Sequence, residues 1–172
     1  MSRSLISFLF LALLGSTPLL ATPVIHEVMA ASQNIIADSD GDYPDWIEIH
    51  NPDATPVDLT GWHLSDDVSK PTRWTFPALT IAPQGFVVVF CSNKNRATTG
   101  SELHTNFVLN DGGETLQLNR PDGTASQVLR YELQYAGLSF DGADYLSPPT
   151  PGASPPLARA FNGASSPNPD HN

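Results

Sequence analysis

Residues 38–50 read DSDGDYPDWIEIH and carry five carboxylates between Asp38 and Glu48. Calcium takes six to eight oxygen ligands, and carboxylates at alternate positions of a tight loop supply several of them. Asp38, Asp40 and Asp42 hold the first, third and fifth places of such a loop, and Asp45 or Glu48 could add more. The stretch is not an EF-hand, which needs glycine sixth and glutamate twelfth: here Gly41 is fourth and the twelfth place is Ile49. The competing reading is a solvated turn that launches a strand, bent at Gly41, stiffened by Pro44 and held by aspartates bonding their own backbone. The turn is the preferred reading, so calcium is not required, and Asp38, Asp40, Asp42 and Asp45 stand as its ligands if it binds. Asp66 and Asp67, in SDDVS (65–69), extend the acidic surface as a partner-binding candidate.

Other chemistry-bearing residues read as structural. Trp46, Trp62 and Trp74 could form a sugar-stacking platform, but each lies in an alternating strand, where an inward-facing tryptophan is the commoner outcome. His26, His50, His63, His104 and His171 are scattered, without the i, i+4 pair of a helical zinc site. His26 and Glu27 are adjacent and on a regular strand face opposite ways, which makes a shared role awkward. Cys91, the single cysteine, sits in the apolar run FVVVFCS and reads as a small buried hydrophobe rather than a nucleophile. No G-x-S-x-G elbow or phosphate-cradling glycine loop precedes a helix, so no enzyme is expected.

The elements that position these residues are short and β-rich. Strands are expected at 23–30, 45–50, 61–66, 72–76, 85–91, 114–119 and 126–132, with edge pieces at 56–59, 79–82 and 104–109. Trp62 and Leu64 alternate with His63 and Ser65, and Leu116 and Leu118 with Gln117 and Asn119, which predicts one buried and one wet face. GFVVVFC is apolar on both faces, as a central strand would be. Asn110–Gly113 and Pro121–Thr124 supply hairpin turn residues. The pattern predicts an all-β, immunoglobulin-like sandwich of about seven to nine antiparallel strands, with a closed barrel as the alternative.

The chain has 172 residues, enough for one domain with its own core. It opens with Arg3, an apolar run from Leu5 to Leu14 and then GSTP, the build of a secretory signal peptide and too short to span a bilayer. Cleavage is expected after Ala21, which gives a signal at 1–21, a sandwich at 22–153 and a proline-rich disordered tail at 154–172. The composition already changes at Ser147, since 147–172 holds seven of the sixteen prolines. The mature chain is expected to have no transmembrane segment, to be monomeric, and to lie outside the cell or in a periplasmic or envelope space. Net charge is −10 and the only lysines are Lys70 and Lys94, so nucleic acid is a disfavoured partner.

Four stretches in order resemble the lamin tail domain in its secreted bacterial form: VIHEVMA (24–30), DSDGDYPDWIEIHN (38–51), VDLTGWHLSDD (57–67) and RWTFP…IAPQGFVVVF (73–90). LHTNFVLNDGGETLQLNRPDG (103–123) follows with the right spacing, and SPPTPGA (147–153) is similar to the family's closing motif. The resemblance implies an immunoglobulin-like sandwich whose role is binding rather than catalysis, often beside a partner domain. This chain departs from the pattern at His26, where asparagine is expected, and at GLSFDGADY (137–145), which is short and lacks the usual arginine. The expected function is a secreted or cell-surface docking or adhesion module with an unidentified protein or surface ligand. The alternatives are a calcium-dependent carbohydrate- or surface-binding module, or an accessory piece of a secreted hydrolase.

Overall fold

A computed structural model describes residues 22–133 and the backbone of two further short strands, 139–140 and 145–146. The expected signal peptide and proline-rich tail lie outside the described residues. The strands are β1 (Val24–Met29), β2 (Trp46–His50), β3 (Val57–Asp58), β4 (His63–Ser65), β5 (Trp74–Thr75), β6 (Thr80–Ile81), β7 (Phe86–Phe90), β8 (Leu103–His104), β9 (Glu114–Asn119), β10 (Ala125–Tyr131), β11 (Ser139–Phe140) and β12 (Tyr145–Leu146). They form a six-stranded sheet in the order β12-β11-β1-β2-β7-β8, a four-stranded sheet β10-β9-β4-β5, and a ribbon β3-β6. This is the expected immunoglobulin-like sandwich.

The inner faces supply one continuous core. Ile25, Val28, Ile47, Ile49 and Val89 come from the large sheet; Leu64, Trp74, Leu116 and Leu118 come from the small one, and Val57, Leu59 and Ile81 seal one end. Burying each such side chain stabilises the fold by roughly 1.5–3 kcal/mol. Cys91 is buried in this core, and burial pushes its thiol pKa well up, as expected of an inert cysteine. The large sheet is also covered on its outer face, where Met29, Trp46 and Phe90 pack with Ile36 from the 31–45 loop.

Several local expectations change. β7 and β8 run parallel, not antiparallel. β7 lies between β2 and β8, but β8 pairs only with its Val89 and Phe90, and Phe86, Val87 and Val88 are half-buried. The polar face of β4 and β9 is not wet, because the 66–73 loop closes over it. His63, Ser65 and Asn119 are buried there, Asn119 Nδ2 donates to the Pro71 carbonyl (2.7 Å), and His63 Nδ1 bonds Thr75 Oγ1 (2.9 Å). Pro121–Thr124 is the β9–β10 hairpin turn. Asn110–Gly113 instead forms an entry turn into β9; a Cβ on Gly113 would lie 2.7 Å from the Tyr131 carbonyl, so only glycine fits.

β1 breaks its regular pairing with β2 at a bulge between Ile25 and Glu27. Gln127 of β10 reaches this bulge from the other sheet. Its Oε1 accepts from the Ile25 amide (2.6 Å) and its Nε2 donates to the Ile25 carbonyl (3.4 Å), bracing the backbone next to the bulge.

Candidate functional site

The acidic stretch folds as a turn organised around its first aspartate. Asp38 Oδ1 accepts the amides of Asp40 and Asp42, each at 3.0 Å, and the Asp38 amide donates to the Asp42 carbonyl (2.8 Å). Gly41 takes φ +85°, which allows the reversal. The three carboxylates converge on an ammonium: Lys94 Nζ donates to Asp38, to Asp40 (2.7 Å) and to Asp42 (2.8 Å). Arg96 adds a second clamp on Asp40 at 2.6 Å. Hydrogen bonds from Lys94 and then Arg96 hold the Asp40 carboxyl well below its usual range, at about 2, while the three carboxylates raise Lys94.

Asp45 does not join this group. Its Oδ1 accepts the Ser32 amide (2.9 Å), and burial raises its pKa. Glu48 lies inside the large sheet, fully buried. Asp66 pairs with Arg73 at 2.5 Å, and Asp67 accepts from Ser69 and pairs with Lys70 at 2.9 Å, so both brace the 65–73 turn. Among the described residues, no hydrogen bond or ion pair joins either to the 38–45 loop.

A hydrogen-bonded strut ties the acidic loop to the neighbouring strand. Ser39 donates its amide and hydroxyl to Glu102, whose Oε1 meets His104 Nε2 at 2.7 Å, while His104 Nδ1 meets Ser92 Oγ at 2.8 Å. A serine, a histidine and a glutamate in series resemble a hydrolase triad, but the surroundings do not. The nearby amides are spent on structure: Asn93 and Asn95 donate to the Phe107 and Thr105 carbonyls, and Lys94 donates to Ser92 Oγ. These three amides are therefore not free to stabilise an oxyanion. Sequence reasoning missed Lys94, Arg96, Glu102 and His104; the signal that could have found them is a lysine and an arginine within NKNR (93–96) in a lysine-poor chain.

Two surface depressions flank these elements. The first, about 380 Å³, lies beside the acidic loop and is lined by Asp42, Tyr43, Pro44, Ser92, Lys94 and Val108. Tyr43 and Val108 are exposed at its rim. The second, about 410 Å³, is lined by Pro56, Val57, Asp58, Trp62, Arg120 and Pro121. Trp46 and Trp74 are core residues as expected, whereas Trp62 is only half-buried, packing on the core with one side and lining this groove with the other.

The histidines are not all scattered. The bulge overturns the expectation that His26 and Glu27 face apart, and their ligand atoms lie within 4.8 Å of each other and of Glu48. His26 Nδ1 meets Glu48 Oε1 at 3.0 Å, and His26 contacts His50 with ring centroids 5.4 Å apart. His63 and His104 are held as described above, and His171 lies outside the described residues.

The two packed sheets make this an immunoglobulin-like sandwich. Residues 20–133 match the Lamin Tail Domain family, and the chain belongs to it. That family is one of non-catalytic immunoglobulin-like domains. No match was found among curated protein sequences. Among the described residues, no helix is long and apolar enough to cross a membrane.

Proposed function

We propose that this chain is an exported docking module of the secreted bacterial type, engaging a protein or surface ligand through the groove beside the 38–45 loop. The observation that supports this reading is the pairing of exposed Tyr43 and Val108 at the rim of a groove whose floor is fixed by the Lys94–aspartate clamp. An exposed aromatic on a braced loop, facing an exposed valine from the β8–β9 segment, is suited to binding with little ordering cost. Export rests on the N-terminal segment, and exclusion of nucleic acid on the acidic balance of the chain. Calcium is not required on this reading, because the Lys94 ammonium already supplies the positive charge at Asp38, Asp40 and Asp42.

The test is capture of partners from envelope and extracellular fractions by wild type, Tyr43→Ser/Val108→Ser and Asp66→Asn/Asp67→Asn, with folding checked by circular dichroism. Partners retained by wild type and lost by the Tyr43/Val108 variant support the groove. Equal capture by those two proteins refutes it, and loss confined to the Asp66/Asp67 variant moves the surface there.

The half-buried Trp62 favours the second reading, a carbohydrate-binding module, since it shares its groove with Asp58 and Arg120. Retention on glycan supports that is lost in Trp62→Ala would select it. Co-purification with a secreted hydrolase would select the accessory role.

A further inference from the structure

The His26–Glu27–Glu48 cluster has features that a docking role does not use. Glu27 and Glu48 are directly paired across β1 and β2, and both are fully buried. The bulge brings His26 to the same place, so an imidazole nitrogen and two carboxylate oxygens come within 4.8 Å of one another. His50 stands beside them, two residues beyond Glu48 on the same face of β2, with its ring in contact with that of His26. It is 5% exposed. One of its ring nitrogens bonds the Gln84 backbone, while Nε2 has no hydrogen-bond partner among the described residues. A ring that donates Nδ1–H to a backbone carbonyl presents Nε2 as a lone pair, the form and supporting contact typical of a metal-binding histidine.

We propose that His26, Glu27 and Glu48 bind a divalent transition metal of the zinc class, with Nε2 of His50, which starts outside that 4.8 Å group, moving in as the fourth donor. The mixed nitrogen and oxygen donor set selects against calcium, which takes oxygen alone and more of it. Zinc holds four ligands at about 2.0–2.1 Å, so two of them stand roughly 3.4 Å apart in a tetrahedral site. His26 Nδ1 and Glu48 Oε1, at 3.0 Å, need to spread by a few tenths of an ångström, and the other donors, within 4.8 Å, need to close in. A bound dication would take the place of the hydrogen-bonding proton between His26 and Glu48 and balance the charge of the two buried carboxylates. The ring of His26 is 18% exposed and gives the metal its way in.

The experiment uses the full chain without a histidine tag, stripped with chelator and titrated with zinc by calorimetry, with cobalt(II) as a spectroscopic probe. The expected result is one zinc per chain, a raised Tm, and a cobalt spectrum of a four-coordinate site with nitrogen ligands. H26Q and H50Q should each weaken binding at least about tenfold, while H104Q and D40N leave it unchanged. The Tm of each variant in chelator shows that it still folds, and the wild-type cobalt spectrum tests the ligand set without any substitution. Absence of saturable binding overturns the proposal. So does binding that survives in H26Q and H50Q, or that is lost in H104Q, which would place the metal on the Asp38–Glu102–His104 group instead.

Discussion

The acidic loop and the buried cluster each gather three metal-capable side chains, with ligand atoms within 4.8 Å, yet they balance charge in opposite ways. In the loop, the aspartates converge on the Lys94 ammonium at the surface, and Asp42 remains well exposed. In the cluster, two fully buried glutamates meet an imidazole that belongs to the same strand as one of them. Carboxylate spacing therefore says little about cation binding until the neighbouring charges are known. The loop stands out in the sequence but already has its cation, whereas the cluster looks unpromising there and stands beside a His50 nitrogen with no hydrogen-bond partner among the described residues.

The largest way to break this contrast is to uncover the cluster. Trp46→Ala removes the main cover of the outer sheet face, where Trp46 is fully buried, and should cost about 3–5 kcal/mol in denaturant unfolding. Gln127→Ala should cost about 1–2 kcal/mol, because the Ile25 amide and carbonyl at the bulge lose their partner. An unchanged midpoint would mean that the bulge holds itself. Lys94→Met sharpens the comparison from the other side: it should lower Tm modestly, speed amide exchange at 38–42, and create a calcium-dependent rise in Tm larger than any shown by wild type. A wild-type response to calcium as large as the variant's would show that Lys94 does not fill the site.

Acid titration gives a smaller effect with a defined sign. Asp38 and Asp40 have folded pKa values below their ordinary 3.8, Asp40 at about 2. Their contribution to stability is present above about pH 4 and is lost as pH falls towards 2. Asp40→Asn should flatten that limb of the Tm profile. The smallest change is Arg130→Ala, which removes an exposed pair with Glu132 and should shift stability by no more than about 0.5 kcal/mol.

Most of the fold was legible because hydrophobic alternation and turn residues are local signals. The strands around Ile47, Leu64, Val89 and Leu116 all appear near their expected places. What alternation cannot show is a bulge. One extra residue at His26 reverses which side chains share a face, and the amide that supports it comes from Gln127, far along the chain. The loop's partners were hidden for the same reason: Lys94 and Arg96 reach Asp40 across more than fifty residues of sequence. The closure of the 66–73 loop over Asn119 likewise depends on contacts that no short window contains.

The placement of Cys91 has a consequence for how damaged molecules behave. Its side chain is buried in the core and its thiol is hard to ionise, so in the folded domain this cysteine should react slowly with alkylating reagents. Once the sheets part, the same thiol is accessible and free to form an intermolecular disulfide. Covalent dimers would then accumulate only from molecules that have opened, leaving a permanent record of unfolding events that the native population does not carry.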